Sequence, residues 1–180
     1  MSATPIDRLS TRRLVLERLQ AGDLDDLARM HADPQLMATL GGLRSRAESE
    51  TLLRALLAHW DEHGFGIWAL RDLATGRFAG RGGLRRVAVG GAEEVEVAYA
   101  LLPAFWGRGL ATEVARESIR VAFDALDLPD LVCFTLSSNR PSQRVMEKAG
   151  FRYERALIHA QRPHVLYRLA APAWRSAGGA

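Results

Sequence analysis

Gly107 and Gly109 stand two residues apart in the stretch Trp106-Gly107-Arg108-Gly109-Leu110-Ala111-Thr112-Glu113. An apolar strand pattern stops before them at Pro103, and a helical pattern begins at Leu110. Glycine at such a junction lets the backbone approach a ligand and turn successive amide N–H groups toward it. The helix start adds about half a positive charge. Strand, glycine loop and helix together suit a pyrophosphate. The plain alternative is a tight turn in which glycine is only sterically convenient. A second pair is Asn139 and Ser142, three residues apart where a strand pattern gives way to a helix. Asparagine is a good helix N-cap, and a serine in the first turn is a second capping hydroxyl. Cys133 lies mid-strand in an apolar run and reads as core filler. The five histidines show no metal-ligand spacing and no cysteine cluster exists, so no metal site is expected.

Other phosphate motifs fit poorly. A Walker loop needs Gly-Lys-Ser/Thr, and the only lysine is Lys148. A dinucleotide fingerprint needs a third glycine where Thr112 stands, near the first strand of its fold. Here three strand patterns precede the loop.

Those residues must be held by elements, and the chain is long enough to build them. At 180 residues it fits one domain with a core of its own. With 48% hydrophobic and 25% charged residues, it is not collagen, a disordered chain or a coiled coil. No apolar run is long enough to span a membrane. The start, MSATPIDRLSTRR, lacks the apolar core of a secretory signal. One cysteine permits no internal disulfide, which makes a reduced, cytoplasmic location the default. The net charge of +3 comes from 24 basic and 21 acidic residues. No basic run alternates with aromatics, so a nucleic-acid partner is not expected.

Residues 1–10 read as a flexible tail and residues 171–180 as a frayed one, around one domain over 11–170. Arg13–Leu19 reads as a strand. A first helix follows Asp23 and ends at Pro34, and residues 34–46 read as a mobile connection. Glu48–Trp60 is helical by its leucine spacing. Strands from Gly64, over Phe78–Val89 and over Glu94–Leu102 form an antiparallel meander. On the last of these, Glu96 shares a face with Glu94 and Ala98. Leu110–Leu126 is a long amphipathic helix. Leu131–Leu136 is a buried strand, Arg140–Ala149 a helix closed by Gly150, and Phe151–Ile158 with His164–Leu169 two more strands.

The stretch Glu96-Val97-Ala98-Tyr99-Ala100-Leu101, followed by Trp106 to Glu113, resembles motif A of the GNAT N-acetyltransferase superfamily. Ser137-Ser138-Asn139-Arg140-Pro141-Ser142 to Glu147-Lys148-Ala149-Gly150-Phe151 resembles motif B, in the right order and spacing. Trp106 fills a slot that is Gln or Arg in the general pattern. That departure is usual in the RimJ/RimL-type branch, which this chain resembles most. The resemblance covers about residues 11–170 and is tightest from Glu96 to Phe151.

It implies an α+β fold: a central twisted mixed sheet of about seven strands, flanked by about four helices, with the fourth and fifth strands splayed. Acetyl-CoA would lie between those two strands. The backbone of Leu101 and Leu102 would pair with the pantetheine. The amides of Gly107, Arg108, Gly109, Leu110, Ala111 and Thr112 would hold the pyrophosphate. Asn139 would bond the pantetheine, and Ser142 would give a proton to the departing thiolate. A backbone amide of the fourth strand would hold the oxyanion, a contact worth about 3 kcal/mol. The acceptor would be a primary amine, either a protein α-amine or a small molecule, acetylated directly in a ternary complex. Its site would lie between the Pro34–Arg46 connection and the Ile158–Pro163 turn. An α-amine of pKa about 8 is roughly one-tenth neutral at pH 7, so a base is useful. Glu96 is the candidate; a surface carboxylate paired with Arg85 or Arg86 is the plain reading. No metal is implied, and a homodimer is an analogy from the family. A non-catalytic acyl-CoA sensor carrying the same motifs is the alternative from another class.

Overall fold

The structure is a computed structural model and describes residues 6–178. Eight strands form one mixed sheet: β1 (Arg8–Ser10), β2 (Leu14–Arg18), β3 (Ile67–Asp72), β4 (Phe78–Val89), β5 (Ala92–Leu101), β6 (Asp130–Leu136), β7 (Arg152–His159) and β8 (Arg162–Ala170). Their order is β1-β2-β3-β4-β5-β6-β8-β7. The helices are α1 (Leu24–His31), α2 (Pro34–Met37), α3 (Arg46–His63), α4 (Leu110–Arg120), α5 (Arg140–Ala149) and α6 (Ala171–Ser176).

The chain clusters into two compact units. The first takes Pro5–Gly83 together with Tyr99–Ala111. Its strands β1 to β4 pair antiparallel in sequence. Leu14, Leu16, Leu27, Met30, Trp60, Ile67, Trp68 and Leu70 are all buried in it. Ser45 and Glu48 start α3 with reciprocal bonds: the Glu48 amide donates to Ser45 Oγ, and the Ser45 amide to Glu48 Oε2. Ser49 Oγ donates to the Ser45 carbonyl and lies 2.9 Å from His31 Nδ1, which ties α1 to α3.

The second unit takes Leu84–Ala98 and the chain from Thr112 on. Here β6 lies parallel to β5 and antiparallel to β8, which pairs antiparallel with β7. Val97, Leu131, Val132, Cys133 and Leu166 are buried. Arg116 of α4 donates to the Lys148 carbonyl of α5, and Tyr167 of β8 to Glu147 of α5.

Several elements differ from the sequence reading. Arg8–Ser10, expected within a loose tail, pairs with β2 through Leu9 and Leu16, and Leu9 is buried. Ala171–Ser176, expected to fray, is a helix whose Trp174 ring lies 5.5 Å from that of Phe123. Of the rest of the expected tails, residues 6–7 and 177–178 form turns, and residues 1–5 and 179–180 lie outside the described residues. Pro34 does not stop a helix. It opens α2 at the position where proline costs least, with Asp33 accepting from the Leu36 amide. The expected mobile connection therefore contains a turn of helix. The 110–126 helix changes hydrogen-bond pattern after Arg120 and continues as a π-helical turn, Val121–Ala125. Eight strands and six helices thus replace about seven and about four.

His31 carries a pH prediction. It is fully buried, and its pKa is lowered from about 6.5 to about 4, first by burial and then by the charges of Arg81 and Arg44. The unfolded chain therefore binds more protons between those values, so stability is lost as pH falls from about 6.5 to about 4. The loss is at most about 3 kcal/mol at 1.36 kcal/mol per pKa unit. Unfolding free energy should fall less steeply over that range in His31→Gln than in the parent, and equal slopes would exclude His31 as the cause.

Candidate functional site

In the first unit, β5 runs out at Leu101 and the chain turns at once. The Leu102 amide donates to the Ala79 carbonyl at 2.8 Å, and the Leu102 carbonyl accepts from the Phe105 amide at 2.9 Å. Both polar groups of Leu102 are engaged. Successive residues of a strand turn their backbone groups to opposite sides, so Leu101 faces away from β4. Its carbonyl accepts from the Trp106 indole N–H at 2.6 Å. Pro103–Phe105 form a single 3-10 turn, and Trp106 remains partly exposed at 43%.

Gly107 and Gly109 then adopt left-handed φ values of +71° and +74°. A Cβ at Gly107 would meet nothing within 4 Å, and one at Gly109 would meet Arg13 Nη2 at 3.5 Å. Conformation, not lack of space inside the protein, therefore requires glycine here. The Arg108 carbonyl accepts from Arg13, and its guanidinium lies 3.5 Å from Asp72 and over the Phe105 ring. Asp72 is held below the usual carboxylate range, chiefly by the Thr75 hydroxyl at 2.8 Å, with Arg108 a smaller cause. The Arg108 side chain thus braces the loop against the end of β3. What remains for an anion is the run of backbone amides into α4, whose first N–H groups have no partner within the helix.

In the second unit, Glu96 of β5 is registered with Val132 of β6. The neighbouring Val97 carbonyl accepts from the Cys133 thiol at 3.1 Å, so Cys133 packs as the core filler the sequence suggests. Glu96 is only 5% exposed, and Arg85 Nε donates to its Oε2 at 2.6 Å. The plain reading foresaw this partner but not the burial. Arg85 is held above its ordinary pKa, first by the charge of Glu96. Glu94, on the same strand face, is taken up by Arg168 at 2.8 Å; that guanidinium also meets Asp130 and Glu154.

Also in this unit, Asn139 Oδ1 accepts from the Ser142 amide at 3.3 Å, and Nδ2 donates to Thr135 Oγ1 at 3.0 Å. The capping role is therefore present. Losing such a cap typically costs about 1 kcal/mol. Ser142 is half-buried in the first turn of α5. Gln143, which no spacing or motif singles out, is buried and donates to the Ser137 carbonyl at 2.9 Å, bracing the same junction. His159 and His164 gather around Phe134, with ring centroids 4.9 and 5.9 Å from it. No group of three or more His, Cys, Asp or Glu placed to hold a metal is found among the described residues.

The chain is similar to known proteins in sequence and fold. A family model described as an acetyltransferase (GNAT) domain matches residues 13–152. The FsC-acetyl coenzyme A-N(2)-transacetylase of Aspergillus fumigatus is 30% identical over 155 residues. That alignment covers 79% of this chain and 63% of that protein. YkkB of Bacillus subtilis, an uncharacterized protein, is 23% identical over 161 residues, covering 86% of this chain and 94% of its own. Among solved structures, an acetyltransferase from Agrobacterium tumefaciens superposes with a TM-score of 0.80 at 27% identity. It covers 91% of this chain and 94% of that one.

Proposed function

Because the chain belongs to the GNAT acetyltransferase family, we propose that it moves the acetyl group of acetyl-CoA to a primary amine by direct transfer in a ternary complex. Within the family, Trp106 ahead of Gly107-Arg108-Gly109 supports the RimJ/RimL-type branch, whose acceptors are protein α-amines and small amines. The observation that carries the reading is the left-handed pair Gly107 and Gly109 at the mouth of α4.

Acetyl-CoA supplies an activated thioester carbonyl. The amides from Gly107 to Thr112 hold its pyrophosphate. Leu101 offers its backbone N–H side to the pantetheine, its carbonyl being taken by the Trp106 indole; Leu102 fills the role less well because both of its polar groups are engaged. Asn139 can serve while capping α5: an asparagine side chain has two donor hydrogens and two acceptor lone pairs, and the cap and Thr135 use one of each. Glu96 removes a proton from the amine through water as the new N–C bond forms. Ser142 protonates the thiolate sulfur as the C–S bond breaks.

The test is thermal. A ligand at 100 times its dissociation constant stabilises by about 2.7 kcal/mol. CoA and acetyl-CoA should raise the melting temperature well beyond NAD or ATP at equal concentration. An equal rise with NAD would overturn the assignment.

A further inference from the structure

Glu96 cannot act as an ordinary surface base, because it is buried and bonded to the Arg85 guanidinium. We propose that Arg85 is a positioning residue for proton transfer: by bonding Glu96 Oε2 it supplies the countercharge of the buried carboxylate and fixes its orientation, with Oε1 to take the proton. This rests on the reading of Glu96 as the base.

The geometry is specific. Arg85 donates through Nε, the nitrogen nearest the chain and the least free to wander, at 2.6 Å. Glu96 is 5% exposed, so water does little to stabilise its charge. From β4, Arg85 supplies the opposite charge. From β6, the registered neighbour is the apolar Val132, and the Cys133 thiol donates to the Val97 carbonyl. On β5 itself the next carboxylate on that face, Glu94, is committed to Arg168 of β8, whose guanidinium also binds Asp130 of β6 and Glu154 of β7. Glu94, Asp130 and Glu154 are thus gathered around Arg168, and Arg85 is bonded to Glu96.

The device has a cost that gives it a signature. A countercharge keeps a carboxylate ionised at lower pH but makes it a weaker base. Removing Arg85 should therefore hurt transfer in acid and spare it in alkali. A merely structural loss would lower the rate at every pH.

The direct test is a 13C NMR titration of glutamate-labelled protein with CoA bound, the Glu96 signal being identified by its absence in Glu96→Gln. In Arg85→Gln the titration midpoint of that signal should rise by at least one pH unit. In Arg85→Lys it should stay within half a unit of the parent. A matching kinetic test uses acetyl-CoA and an alanine-initiated hexapeptide with a free α-amine. Arg85→Gln should lose about threefold in kcat/KM at pH 5, the loss a one-unit shift of an ordinary glutamate gives there, and match or exceed the parent at pH 9, with the KM for acetyl-CoA unchanged. Arg85→Lys should restore the acid side. An unmoved carboxyl titration in folded Arg85→Gln overturns the proposal whatever the kinetics. A moved titration with an equal rate loss at all pH values overturns the catalytic part. Full activity of Glu96→Gln removes the base itself, an outcome read from a different variant.

Discussion

Glu96→Gln should lower kcat by about 10²–10⁴ and leave acetyl-CoA affinity unchanged, the loss expected for a general base. The amide keeps the shape of the side chain, and its oxygen can still accept from Arg85 Nε. It cannot take a proton. The substitution leaves the Arg85 charge without its partner, so the melting temperature should be followed alongside the rate. A stability loss without a rate loss would mark the pair as structural. The pH dependence adds a second handle. An acceptor amine of pKa about 8 is mostly neutral above pH 8 and needs less help. The defect should therefore shrink from pH 6.5 to 9. A constant defect, or a variant as fast as the parent at pH 7, would pass the role to water or another residue.

Gly109→Val should abolish acetyl-CoA binding while the fold persists. At φ +74° a non-glycine residue costs about 1–2 kcal/mol, and β-branching makes that conformation worse. The chain relieves the strain by turning the peptide units on either side, which are the ones that aim amides into the cradle. A clash with the protein is not the cause, since the nearest atom to an added Cβ is Arg13 Nη2 at an ordinary contact distance of 3.5 Å. Circular dichroism should show an intact helix content. Calorimetry with acetyl-CoA should show no heat at concentrations that saturate the parent. Unaltered affinity would reduce the glycine loop to a turn.

Where a pattern repeats within one element, the sequence alone sufficed. Phe78–Val89 and Arg140–Ala149 are found to the residue, the first by its strand composition between turns, the second by its junction at Asn139 and stop at Gly150. Short elements that exist through a neighbour were not legible. Three residues of β1 show no period, and Leu9 becomes a core residue only opposite Leu16. Pro34 has two opposite meanings, stopping a helix or starting one, and the Asp33 cap decides between them. At the site, the glycine loop, Glu96, Asn139 and Ser142 could be picked out because motifs mark them. What the sequence could not say is which partner each one takes. Arg85 and Arg86 were equal candidates until the backbone aimed one at Glu96. The bond from Trp106 to the Leu101 carbonyl depends on a turn whose path no spacing encodes.

The link between α1 and α3 fixes something that carries no electron density of its own, a tautomer. Ser49 has one hydroxyl hydrogen, and it goes to the Ser45 carbonyl. The Ser49 oxygen can then only accept from His31, so the imidazole proton sits on Nδ1. Nε2 is left as a lone pair, fully enclosed and with no donor against it among the described residues. Turning the ring over would set a carbon against the serine oxygen and forfeit the bond. The ring therefore has one orientation. A serine one turn into α3 thus acts as a key that only one face of the imidazole fits.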